Sequence, residues 1–337
     1  MNDQSSKSRD RFAAFALSGA DVLLETDMNG RVLFSTGATG SLIGYSAELM
    51  TGRLLTQIMV PDDADMVREV LDRVAITGRV TGMIVNVARV DGKHYPFSLS
   101  GVSVVEMKGA LHFTMARLKG LSAKIAFEPG VVDARVFMNL ANDLIGSGAT
   151  AGDSNALTLM QFDAPTLYNR MTPEQRKAFE NSLTGHLRAW SLAGASITRV
   201  ADGKYGFMHE DSPHVPTKTT ERIEALSKEH DPTGQGVPVQ ARTIDLNLPE
   251  ASSEVRLAAF ETVFKQFETD GVSTLDRTSL SGLVMKGIKR LLGGGVKKSQ
   301  ERMSVVPPRR QTDAGSSGGG PGRPPSHSKL EPAQPGA

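Results

Sequence analysis

Apolar and polar positions alternate in two short runs near the start of the chain. Asp21-Val-Leu-Leu-Glu-Thr-Asp27 and Val32-Leu-Phe34 bracket Met28-Asn29-Gly30-Arg31. Asn-Gly between apolar runs predicts a β-hairpin. Beyond it the period changes. Leu42 to Leu49 predicts a short helical stretch with Ser46 as N-cap. From Pro61 onward, Val67, Val70, Leu71 and Val74 recur at three- and four-residue spacing, which predicts a helix with one apolar face to about Ile76. Asp62 and Asp63 suit its N-terminus, and Gly78 ends it. Three strand-like runs follow, Met83 to Val90, Phe97 to Val105 and Leu111 to Arg117, joined at Asp91-Gly92 and Lys108-Gly109. Two strands, short helices, one longer helix and three strands predict an α+β unit, an antiparallel sheet with helices on one face.

The middle of the chain has its own pattern. Val131 to Ile145 predicts a helix, with Val136, Phe137, Leu140 and Leu144 at helical spacing, and Gly146 to Gly152 predicts a flexible break. Ala156 to Phe162 predicts a buried strand. Thr172-Pro173 opens a helix in the N-cap-then-proline order, running to about Leu192. Ala195 to Val200 and Tyr205 to Met208 predict two strands around the turn Ala201-Asp202-Gly203-Lys204. A helical stretch at Glu221 to Ser227, a strand at Val237 to Leu246 and a helix at Ser253 to Glu268 complete a second α+β region.

Composition sharpens this organisation at the ends. Residues 1–10 are polar and expected to be disordered. From Gly293 the chain is rich in Gly, Pro and Ser without periodic apolar positions, so residues 293–337 are expected to be a disordered tail. Lys and Arg number 38 against 37 Asp and Glu; a formal charge of +1 gives no global steering toward nucleic acid. There is no cysteine, which excludes disulfides, thiolate catalysis, cysteine-ligated zinc and cysteinyl adducts. The N-terminus lacks the apolar core of a signal peptide, and no stretch is long enough and apolar enough to span a membrane. A cytoplasmic location is the expectation.

The first region, residues 11–120, resembles a PAS domain. The resemblance is carried by Ala20-Asp21-Val22-Leu23, Thr26 to Val32, Ile43 to Leu49, Gly52-Arg53, Pro61-Asp62-Asp63 and Arg89 to Lys93, in that order. It implies a sensor that dimerises or holds a ligand between sheet and helices. Phe34, Met59, Met66, Met83, Phe97 and Phe113 either line such a cavity or fill the core. No cofactor is identified. Without cysteine, flavin-cysteinyl photochemistry is excluded. Haem would need a histidine in the helical half, and residues 42–77 contain none. An unknown small ligand and a homodimer through this domain remain as expectations.

Residues 121–292 resemble a degenerate GGDEF domain, the diguanylate cyclase fold of bacterial cyclic-di-GMP signalling, an α/β sandwich. Val131 to Phe137 is similar to its opening helix, Leu157 to Asp163 to its first core strand, and Arg199 to Phe207 to its signature hairpin. Joining two triphosphates needs Mg²⁺ and carboxylates to hold it. The signature positions here read Ala201, Asp202, Gly203, Lys204 and Tyr205. Gly203 and Lys204 stand where the resemblance implies acidic residues, and a lysine cannot ligate a cation. The strand position for a metal ligand holds Gln161, with Asp163 two residues on. Asn169 matches a guanine-contacting asparagine, and is otherwise a turn residue. Leu192 to Ala195, where the family carries its charged product-binding motif, is uncharged. The resemblance therefore implies no catalytic residue and no metal site. An EAL phosphodiesterase domain often follows such a module, and residues 293–337 carry no Glu-Ala-Leu signature.

Two further features stand out. His209-Glu210-Asp211 with His214 is the densest polar cluster, a candidate metal site or a solvated loop containing Pro213 and Pro216. Gly282 to Leu292 is basic and apolar, suited to an anionic surface, a partner or domain packing. The function expected is non-catalytic signal transduction with a signalling-protein partner. The alternatives are a receptor for GTP or cyclic di-GMP, and a weakly active cyclase using Asp163 and Asp202.

Overall fold

The computed structural model describes residues 17–104, 107, 109–118, 131–151, 155–210, 212–246 and 252–274. The readings of residues 1–10, 282–292 and 293–337 concern residues outside these.

The first domain begins with a hairpin, β1 (Val22–Asp27) and β2 (Val32–Gly37). Its turn is held by Asp27, whose carboxylate accepts from the amides of Asn29 and Arg31. Two one-turn helices, α1 (Thr39–Leu42) and α2 (Ala47–Met50), replace the single expected stretch, and Ser46 caps the second. A 3-10 turn, Leu55–Ile58, leads into α3 (Pro61–Thr77), which ends at Gly78 in the left-handed conformation. Then come β3 (Arg79–Ala88), β4 (His94–Ser103) and β5 (Ala110–Arg117). The sheet order is β2-β1-β5-β4-β3, all antiparallel. Ile43, Met50, Leu55, Ile58, Met66 and Phe97 fill the space between the sheet and the helices, each fully buried. Phe34 departs from expectation. A register shift beside Glu25 and Thr26 turns it away from the core, and it is 55% exposed on the outer face.

The second domain starts with a two-residue strand, β6 (Val131–Val132), where the sequence predicted helix. Pairing with the edge of the sheet at Ile197 and Thr198 claims these two β-branched residues. Helix α4 (Ala134–Ala151) then runs through the glycines expected to break it. The order continues as β7 (Asn155–Phe162), α5 (Ala164–Tyr168), α6 (Pro173–Trp190), β8 (Ile197–Ala201), β9 (Lys204–Glu210), α7 (His214–His230), β10 (Val239–Asp245) and α8 (Ser253–Asp270). From β7 to β10 this is a β-α-β-β-α-β unit with sheet order β10-β7-β9-β8, extended at its edge by β6. Helix α7 starts seven residues before the expected Glu221, so His214 and Pro216 lie in its first turn rather than in a loop.

Both faces of the second sheet are covered, which is why β7 reads as an unbroken apolar run. On one face Leu157, Leu159 and Met208 meet Phe137 of α4 and Phe260, Val263 and Phe264 of α8. On the other, Met160, Phe162 and Phe207 meet Phe179, Leu183 and Leu187 of α6, with Ile223 and Leu226 of α7. This second cluster does not stop at the domain boundary. It continues through Met66, Val70 and Val74 of α3 into the core of the first domain. Helix α3 is thus packed between the first sheet and α6.

Candidate functional site

Two regions carry concentrated chemistry: the hairpin edge of the second sheet and the seam between α3 and α6.

At the hairpin edge the structure gathers the sequence-derived positions. Gln161 pairs across strands with Lys204, and Gly203 accepts from the Phe162 amide at 3.0 Å through its carbonyl. Gln161, Asp163, Asp202 and Lys204 each have a partner within the fold. Lys204 Nζ donates to the carbonyls of Phe267 (3.0 Å) and Glu268 at the C-terminus of α8, where a cation is favoured by the helix dipole. Gln161 Oε1 accepts from the Val272 amide at 2.9 Å, just past the same helix end. Asp163 is the N-cap of α5, accepting from the Thr166 amide at 3.1 Å and its hydroxyl at 2.6 Å. These bonds hold its carboxyl below the usual range. Asp202 pairs with Arg199. Gly203 has φ +71°, and a Cβ there would meet the Phe162 carbonyl oxygen at 2.5 Å; only glycine fits this turn. Tyr205 is buried and stacked on Phe162, and burial pushes its hydroxyl pKa upward. Ala201 closes β8, opposite Lys204. Asn169 ends α5 through its backbone amide. The edge is arranged as a brace, with Lys204 and Gln161 clasping one end of α8.

His209 is fully buried, with its ring 2.8 Å from the Thr158 hydroxyl and 2.7 Å from the Glu210 carbonyl. Asp211 lies outside the described residues. Among the described residues no group of three His, Asp or Glu side chains could hold a metal ion.

The seam is richer in buried charge. Gly185 lets α6 approach α3 closely; a Cβ there would lie 3.3 Å from the Met66 amide nitrogen. Arg188 donates to Asp63 at 2.6 Å, and both side chains are almost fully buried. The second oxygen of Asp63 accepts from the Asn86 amide (2.7 Å) and side chain (3.0 Å). Arg73 reaches across to the Ala189 and Ser191 carbonyls at 2.8 and 3.3 Å. Glu69 is held between His186 Nδ1 and Arg222 Nε, each at 2.8 Å. Burial alone would raise the Glu69 pKa, but the hydrogen bonds and charges of His186 and Arg222 outweigh it and bring the group to about 2. An ionised carboxylate only accepts, so His186 Nδ1 carries a hydrogen. Buried charges that are paired across a boundary fix one register, because separating them strands each charge without water.

A groove of about 840 Å³ also crosses the outer face of the first sheet, lined by Leu23, Phe34, Val102, Met107 and His112 among others. Neither ring nitrogen of His112 has a hydrogen-bond partner among the described residues.

Residues 15–118 match the family model of the PAS fold, and this part of the chain is a PAS domain. No curated protein matches the chain. Among solved structures, it is similar to the PAS domain of an HTR-like protein from Haloarcula marismortui, at 13% identity and TM-score 0.29, over 35% of this chain and 100% of that one. It is also similar to a PAS domain from Colwellia psychrerythraea, at 24% identity and TM-score 0.29, over 34% of this chain and 98% of that one. A third is the Cycle PAS-B domain of Drosophila melanogaster with bound ethylene glycol, at 12% identity and TM-score 0.27, over 29% of this chain and 99% of that one. Among the described residues no helix is long and apolar enough to cross a membrane.

The seam was not visible in the sequence. Glu69 and Arg73, four apart on α3, have the spacing of an exposed surface pair, and their partners lie more than a hundred residues away. The available signal was the charge-poor end of α6, where His186, Arg188 and Trp190 alternate with apolar residues up to Ser191.

Proposed function

We propose that this chain is a non-catalytic signal-transduction protein in which the PAS domain is coupled through α3 to a degenerate cyclase-like module that relays or presents the signal. The observation that carries the reading is the pairing at the hairpin edge. Gln161, Asp163, Asp202 and Lys204 are engaged by the fold itself, so the edge offers bracing where a cyclase needs free carboxylates. The seam supports the coupling: a shift of α3 against its sheet must move α6, because Asp63–Arg188 and Glu69–His186 tie them together. A two-state change in PAS packing would therefore bias the second domain.

The test is incubation of the purified protein with GTP and Mg²⁺. No cyclic di-GMP should form. Turnover that disappears in Asp163→Ala overturns the reading in favour of a cyclase. Sub-micromolar binding of GTP or cyclic di-GMP by calorimetry, without turnover, would make the module a nucleotide receptor instead.

The exposed outer face of the PAS sheet, with Phe34 and Met107 uncovered, supports homodimerisation through this domain. Light scattering of wild type and Phe34→Lys tests it: a dimer that becomes a monomer is expected, and a monomeric wild type sinks the idea.

A further inference from the structure

Strand β10 (Val239–Asp245) ends the second sheet. Hydrogen bonds fix which of its residues face outward. The Leu246 amide donates to the Asn155 carbonyl at 3.0 Å, so these two form a bonded pair at the end of the ladder. The even-numbered residues of β10 therefore direct both backbone groups to β7, and the odd-numbered ones point away. Helix α7 takes the first outward amides: Val237 donates to Ser227 Oγ and Val239 to Glu224 Oε1, each at 3.0 Å. The outward N–H and C=O groups of Ala241 and Thr243 come next and have no partner among the described residues. The other sheet edges are protected. In the first sheet Val32 of β2 exchanges 2.8 Å bonds with Gly52 and Arg53, and the Asn86 carbonyl of β3 accepts from the Val60 amide at 2.9 Å. The far edge of the second sheet closes with the two-residue β6 beside a bulged β8. Short strands, bulges and prolines are the usual defences of an edge. Strand β10 holds regular register over 7 residues without bulge or proline, and Gln240 and Thr243 are exposed.

We propose that the outer edge of β10 binds an extended segment of a partner protein, added as an antiparallel strand with an acidic residue opposite Arg242. The strand follows from the free backbone groups of Ala241 and Thr243, which an extended backbone complements. The acidic residue follows from the middle of the edge. Arg242 shares the α8 face of the sheet with Ile244, and among the described residues it has no ion-pair partner. A strand bonded to Ala241 and Thr243 places one side chain directly opposite Arg242, in the closer, non-hydrogen-bonded type of pair. A second copy of this chain in that register would set Arg242 against Arg242, and like charges there destabilise the pairing. A carboxylate complements it. The inference is separate from catalytic inactivity: the edge is open whether or not the second domain turns over a nucleotide.

The probe is the peptide acetyl-Thr-Val-Glu-Val-Thr-amide, titrated into isotope-labelled full-length protein and followed by amide resonances. So small a contact binds at about 1 mM, and the series runs to about 10 mM. Saturable shifts of the Ala241 and Thr243 amides are expected. Lysine in place of the peptide's glutamate should weaken binding at least about fivefold. Methylating both valine nitrogens should abolish it, because those amides donate to β10. Arg242→Glu should reverse the preference in favour of the lysine peptide. Ala241→Pro should abolish binding in a folded protein, since proline is tolerated on an edge whose N–H faces solvent; the Arg242→Glu comparison stands without it. The proposal is overturned if the glutamate peptide gives no saturable shift, if the methylated peptide binds equally well, or if Arg242→Glu keeps the original preference. It is also overturned if the Ala241 and Thr243 amides are already protected from hydrogen exchange in the free protein, since the chain's own residues or a second copy would then occupy the edge.

Discussion

Lys204 shows how one side chain can change what a turn is for. Where the proposed cyclase-like reading would call for a carboxylate, its ammonium clasps the carbonyl end of α8. Removing it in Lys204→Ala should destabilise the protein by about 1–2 kcal/mol. Lys204→Glu should cost more, because it sets a carboxylate against those carbonyls, and it should not create turnover. Thermal unfolding of the two variants decides this, and a glutamate variant as stable as wild type would contradict the brace. Glu69 makes a second prediction at this scale. Its folded pKa, about 2, lies below the ordinary 4.5. A depressed carboxylate stabilises the fold above the unfolded value and loses that stabilisation as pH falls. At most about 3 kcal/mol is therefore present above pH 4.5 and fades toward pH 2. Glu69→Gln should be less stable than wild type at pH 6, and the gap should close on acidification. A constant gap in pH-dependent urea unfolding would rule out this linkage.

Among elements, α3 is the one whose role the sequence conceals. Its apolar stripe at Met66, Val67, Val70 and Val74 was legible, and so was the sheet it covers, because alternation and Asn-Gly turns are local signals. Most strands and helices of the second domain were legible for the same reason; the β6 pair, the α4 glycines, the short α5 and the first two turns of α7 were not, because long-range pairing and helix continuity override local preference there. The opposite face of α3 was not legible. Asp63, Glu69 and Arg73 carry no local mark of burial, since their partners are set by tertiary packing alone. The hairpin edge was half legible: its residues were located, but their use as caps and clasps depends on α8, far along the chain. The buried pair between α3 and α6 can be measured directly. Arg188→Met should cost about 3–5 kcal/mol by stranding Asp63. The double variant Asp63→Asn with Arg188→Met should cost clearly less than the sum of the single changes. Additive losses in urea unfolding would show that the pair does not act as a unit.

For the whole molecule, the shared core predicts how the protein comes apart. One buried cluster extends from the first sheet through α3 to the second sheet, so the two domains should unfold in one cooperative step. Trp190 emission, which senses the seam, should change together with far-ultraviolet circular dichroism. A fluorescence transition well ahead of the loss of secondary structure would mean that the domains separate first. The seam also bears on how such a chain can be recombined. Fusing this PAS domain to a foreign effector would bury Asp63 and Glu69 opposite side chains never matched to them, or leave the apolar flank of α3 bare to water. Either graft starts with a deficit that a flexible linker cannot repair. Domains joined only by a tether can be exchanged freely during evolution or in the laboratory; these two would be inherited, and would have to change, as a pair.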